Sequence, residues 1–128
     1  MTAPARAGVF VYAANLERLS GFYKTVVGMT EAHRTDQMVV LRSPDLQLIV
    51  QAMPAHIASQ VETAEPPRLR DGAAIKFFCT VPSLSTAEQS AQGLGGRVLP
   101  EQWAGPGFVV RNACDPEGNI FQVRESAG

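Results

Sequence analysis

The stretch Asn15-Leu16-Glu17-Arg18-Leu19-Ser20-Gly21-Phe22-Tyr23-Lys24-Thr25-Val26-Val27-Gly28 decides the fold. Leu16, Leu19, Tyr23, Val26 and Val27 recur every three to four residues, so a helix places them on one buried stripe. Asn15 is suited to cap its start, and Gly28 to end it by taking a left-handed backbone. Just upstream, Gly8–Ala13 alternates around Val9, Val11 and Ala13 and reads as a strand. Downstream, the runs 29–34, 38–42 and 46–51 are separated by Thr35-Asp36-Gln37 and Ser43-Pro44-Asp45, which are turn-forming residues, and so predict an antiparallel meander.

The same order of elements returns 68 residues later. Val9 falls on Phe77, Val11 on Cys79, Asn15 on Ser83, Leu16 on Leu84 and Gly28 on Gly96. The near-continuous apolar run 74–81, with Lys76 inside it, reads as a strand. A helix follows, with Ser85 and Glu88 spaced as a capping box, an inner face of Leu84, Ala87, Ala91 and Leu94, and Gly95-Gly96 as its stop. Strands are then expected over 97–99, 108–113 and 119–125, the last two joined by the turn Asp115-Pro116-Glu117-Gly118-Asn119. Trp103 falls in the Gly/Pro-rich segment 101–107, read as a loop. The periodicity fades over 52–72, where Pro54, Pro66 and Pro67 mark a linker with room for one or two helical turns in 55–61. The expectation is one α+β domain over 1–128, built from two βαβββ modules at 8–51 and 73–125.

Composition narrows the class. With 128 residues, 45% of them hydrophobic, the chain can bury a core without staples. A net charge of -1 with scattered Lys and Arg gives no field for nucleic acid. No run approaches the roughly 18 apolar residues of a membrane span, and the start Met1-Thr2-Ala3-Pro4 shows no signal-peptide pattern, so a cytoplasmic protein without membrane contact is expected. Cys79 and Cys114 lack metal or disulfide spacing and read as packed thiols, while His33 and His56 read as surface or loop residues.

Asn15-Leu16-Glu17-Arg18, Phe22-Tyr23, Val27-Gly28-Met29 and the turn Asp115-Pro116-Glu117-Gly118-Asn119 together resemble the vicinal oxygen chelate superfamily of glyoxalases, bleomycin-resistance proteins and dioxygenases. The resemblance spans essentially the whole chain. It implies a cupped mixed sheet with the helices outside, a ligand cavity on the concave face, and homodimers. Its enzymes hold a divalent ion on four side chains, and the matching positions here carry Gly8, Gln47, Lys76 and Gln122. Glycine has no donor, two amides are neutral, and an ammonium repels a cation, so no metal and no other cofactor are expected. These four positions are expected to converge on one cavity.

If Gly8 faces the cup, alternation turns Phe10 and Tyr12 the same way, followed by Gln47 and Ile49, then Lys76, Phe78 and Thr80, then Gln122 and Arg124. Trp103 is a candidate lid and Arg111 a candidate anion holder. Lys76, if desolvated among aromatic rings, would have a lowered pKa and could act as a base or nucleophile; otherwise it reaches solvent. Aromatic faces with amides and cations suit a flat, polar-edged organic ligand. The leading reading is therefore metal-independent capture of an aromatic or peptide-like compound, by analogy with antibiotic resistance, although the near-neutral charge speaks against cationic bleomycin. The alternatives are an enzyme with an atypical or absent metal, and an accessory dimerisation domain with Phe10, Tyr12 and Phe78 packed together.

Overall fold

In the computed structural model, residues 4–61, 64 and 66–128 are described; positions 62, 63 and 65 of the expected linker and 1–3 of the expected domain lie outside them. The elements run β1 (Gly8–Ala13), α1 (Leu16–Val26), β2 (Thr30–Arg34), β3 (Met38–Arg42), β4 (Gln47–Ala52), α2 (Ala55–Ala58), β5 (Phe78–Thr80), α3 (Leu84–Gly93), β6 (Arg97–Gly105), β7 (Phe108–Cys114) and β8 (Ile120–Ser126). They form two mixed four-stranded sheets of the same order, β1-β4-β3-β2 and β5-β8-β7-β6. In each sheet the first strand pairs parallel with the last of its module, while the other neighbours are antiparallel. This is the α+β βαβββ repeat that the 68-residue periodicity predicts.

Local chemistry places the elements. The Asn15 side chain accepts from Arg18 N at 3.0 Å and caps α1, and Gly28 ends the helix region with φ 78°. In the second module the cap is Ser83, which accepts from Thr86 N at 3.1 Å. The capping box expected at Ser85 and Glu88 does not form, because Glu88 turns to the guanidinium of Arg111 instead. Leu84, Ala87 and Ala91 are buried as expected, whereas Leu94 lies past the end of α3 and is exposed.

The inner faces of both sheets and the two long helices share a single core. Phe22 and Tyr23 of α1, fully buried, meet Phe121 of β8 at ring-centroid distances of 6.0 and 5.2 Å, and Phe77 packs on Tyr23 at 5.8 Å. At the centre of this contact lies a polar group. Asp115, fully buried, accepts from the Tyr23 hydroxyl at 2.6 Å, from Glu117 N at 2.9 Å, and from Asn119 N and Nδ2 at 3.0 and 2.8 Å. Glu117 then accepts from Ala14 N and Asn15 N at 2.8 and 2.9 Å, which ties the β7–β8 turn to the β1–α1 turn of the other module.

Burial raises the Asp115 carboxyl above its ordinary value, and the bonds from Tyr23, Asn119 and Glu117 pull it back only in part. A native pKa above the unfolded one favours the protonated form. The stability this group contributes is therefore complete below about pH 3.9 and declines as pH rises through the native value. Tyr23→Phe removes one of the groups that lower the carboxyl. It should cost about 2 kcal/mol of stability in urea unfolding, with a larger loss at pH 7 than at pH 4; a loss independent of pH would contradict this coupling.

Candidate functional site

The face of each sheet turned away from the core is open. On the first sheet, register aligns Gly8 with Gln47 and Arg42, Phe10 with Ile49 and Val40, and Tyr12 with Gln51 and Met38. Phe10 and Tyr12 remain 57% and 58% exposed, with their rings offset at 6.3 Å. On the second sheet, Phe78 pairs with Gln122 and Gln122 with Asn112, while Thr80 pairs with Arg124, Arg124 with Val110 and Val110 with Trp103. Phe78 is 52% exposed. Because no Phe10–Phe78 or Tyr12–Phe78 ring contact forms among the described residues, these rings do not make the closed cup that a purely accessory domain would require.

Lys76, Trp103, Phe108, Asn112, Gln122 and Arg124 surround a cleft of about 460 Å³ on the second sheet. Its best-defined feature is Arg124. The guanidinium carbon stands 3.7 Å from the centre of the Phe78 ring and 4.2 Å from that of Phe108, so two aromatic faces hold it. Contacts of this kind contribute about 0.5–2 kcal/mol. Lys76 Nζ donates to Asn112 Oδ1 at 3.1 Å across the mouth.

Three expectations need correction. Lys76 is not inside a strand, since β5 spans only Phe78–Thr80, and its amine is exposed rather than desolvated among rings. Trp103 is not in a loop: β6 continues to Gly105, past an irregularity between Val98 and Gln102, and Trp103 stands on that strand beside the cleft. Arg111 does not reach the cleft. It pairs with Gln102 and Val123 on the helix side, donates through Nε to Leu99 O at 2.8 Å, and forms an ion pair with Glu88 of α3. Its role there is to satisfy carbonyls that the irregular strand leaves unpaired.

Lys76 and Gln122 line the second-sheet cleft, whereas Gln47 lines a different one of about 980 Å³ with Arg6, His33 and Arg42. Gly8 lies beside Gln47, and a Cβ placed on it would come within 2.8 Å of the Gln47 carbonyl oxygen. A smaller apolar cleft of about 390 Å³, lined by Phe10, Tyr12, Met53, Ile75 and Lys76 among others, runs between the modules. His56 lies exposed on α2. Cys79 and Cys114 are free thiols, each pushed up to about 11, chiefly by burial, which keeps them protonated and unreactive near neutrality.

The profile of the glyoxalase-like domain matches residues 8–124. The chain belongs to this family, within the vicinal oxygen chelate superfamily. Its fold is similar to a glyoxalase/bleomycin resistance protein/dioxygenase family enzyme from Burkholderia phytofirmans PsJN, with TM-score 0.70 and 17% identity over 96% of this chain and 99% of that one. It is also similar to a glyoxalase/bleomycin resistance protein from Albidiferax ferrireducens T118 (TM-score 0.66, 18% identity, 93% and 96% covered). A third is the fosfomycin resistance protein FosX from Listeria monocytogenes (TM-score 0.63, 11% identity, 99% and 95% covered). No curated protein matches the sequence.

The family's metal does not fit the residues of this glyoxalase-like chain. Gln122 and Gln47 open on separate clefts, Lys76 brings a positive charge, and a ligating side chain at Gly8 would force the close β1–β4 pair apart. Among the described residues, no three His, Cys, Asp or Glu side chains are grouped to share an ion. Protein purified without an affinity tag should carry well under one equivalent of zinc, nickel or manganese by elemental analysis, and chelation should leave its thermal midpoint unchanged. One tightly held metal per chain would contradict this.

Proposed function

We propose that this glyoxalase-like chain binds a small, flat organic compound in the cleft of the second sheet without a metal ion. One observation carries the reading: a strand tryptophan, two phenylalanines, two amides and two cations share a single open sheet face instead of packing into the core. A volume of about 460 Å³ suits a small-molecule site. Aromatic faces supply contact area, while Asn112 and Gln122 supply directional bonds.

The superfamily holds both binding proteins and enzymes, and the solved structures similar to this fold include a resistance protein. Binding is the reading favoured here because Lys76, the best nucleophile candidate, is exposed and bonds to a neutral amide. General acid–base work needs a partner whose affinity for protons is matched to the task. A second copy of the chain covering Phe10 and Tyr12 is part of the same proposal, as is a cytoplasmic setting.

Trp103 is the only tryptophan, so its emission reports on this cleft alone. In a screen of planar aromatic compounds, binders should quench that emission and raise the thermal midpoint together. Trp103→Ala, at an exposed position, should weaken them by about two- to tenfold, read from the thermal midpoint, in line with the ~0.5–1.5 kcal/mol of a ring contact. Stabilising compounds that leave Trp103 emission unchanged would place the site elsewhere.

A further inference from the structure

We propose that the compound held in the second-sheet cleft carries a carboxylate, and that this group sits on the in-plane edge of Arg124 with Lys76 beside it; the inference rests on the reading of that cleft as the ligand site. The central carbon of the Arg124 guanidinium stands over the rings of Phe78 and Phe108, 3.7 and 4.2 Å from their centres. A guanidinium forms hydrogen bonds only in its own plane, through a rim where five N–H groups lie in a fixed fork that matches a carboxylate.

The rim is unused. Arg124 Nε is buried without a hydrogen-bond partner, and the side chain has no ion pair among the described residues. Two other arginines are ion-paired, Arg34 with Glu17 and Glu31 and Arg111 with Glu88; Arg97 Nε is also buried without a partner, but Arg97 does not line the cleft. The nearest acidic neighbour in sequence, Glu125, is directed away and accepts from Leu84 N at 2.7 Å.

Among the described residues no Asp or Glu lines the cleft, yet it holds two cationic side chains. A buried donor on a charged group is costly to leave unpaired, and cation–π contact offsets only part of that cost. Lys76 Nζ, bonded to Asn112 Oδ1 at 3.1 Å, keeps further N–H groups for a second carboxylate oxygen or a bridging water. The rings that fix the guanidinium also present an aromatic wall beside it, so one site offers stacking area and a pre-oriented anion fork. Both features point to an aromatic acid rather than a neutral arene or a free ion.

The test compares 2-naphthoate with its neutral isostere 2-naphthamide, read by Trp103 quenching on the full chain. Naphthoate should bind about tenfold tighter, as expected for a charge-assisted pair. Arg124→Met should abolish that preference, so that the ratio of the two affinities falls to about one. Should that variant fail to fold, Lys76→Met, at an exposed residue, should still reduce naphthoate affinity several-fold and leave naphthamide unchanged. Equal affinity for the two probes, or a preference that survives both substitutions, would overturn the carboxylate inference and leave the cleft reading standing. Inorganic phosphate binding as tightly as naphthoate would also overturn it, by showing that the cations take a free ion. Failure of both probes to bind would overturn the cleft reading itself.

Discussion

A buried carboxylate holds the two halves of the molecule in place. Asp115 opens the turn between β7 and β8, yet its side chain is satisfied partly by that turn and partly by Tyr23, a residue of the first helix 92 positions earlier. Glu117, in the same turn, accepts from two backbone N–H groups where β1 passes into α1. The carboxyl oxygens thus do for the module junction what a backbone ladder does within a sheet. Around them Phe22, Phe77 and Phe121 pack edge to face and stacked, so the polar centre is sealed from water. Removing a single acceptor from such a network leaves several donors unsatisfied at once, which is why its loss is expected to be cooperative.

The junction also sets the cleft. The β7–β8 hairpin is anchored at its turn, and from there alternation sends Phe121 and Val123 into the core while Gln122 and Arg124 face the open side. Phe78 and Phe108 approach Arg124 from the neighbouring strands. Arg124 thus puts a permanent cation on the open face of the second module. Gly8 and Gln47 on the other side have drawn together as an ordinary parallel strand pair, with no room for a ligating side chain.

The sequence was most legible where periodicity, capping and turn chemistry agreed. Asn15 and Gly28 bracket α1 as expected, and the alternation of β1 turns Phe10 and Tyr12 outward. It was least legible where apolar residues do not pack. The run 74–81 looks like a full strand, but Ile75 is 88% exposed and only Phe78–Thr80 pairs with β8, which removes Lys76 from the strand. The Gly/Pro-rich segment 101–107 suggested a loop around Trp103, but β6 runs on to Gly105 past an irregularity between Val98 and Gln102, where an edge strand tolerates Pro100. Arg111 could have been assigned by parity, since it alternates with Val110 and Asn112, whereas its partner Glu88 is a tertiary contact with no sequence signal. The inward direction of Phe78 and Arg124 followed from alternation, but the second ring, Phe108, lies two residues along β7 from Arg124's direct partner Val110. Diagonal contacts of that kind depend on sheet twist and do not show in a linear pattern.

The central claim is that the ligand site lies on the second sheet, centred on Arg124, and not at a shared four-position centre between the modules. A crystal structure of the protein with a bound aromatic acid tests it most directly. The ring should lie against Trp103, with the carboxylate within hydrogen-bonding distance of the Arg124 guanidinium. A ligand seated between Gly8 and Gln47, or held on a metal ion bridging the two modules, would contradict it.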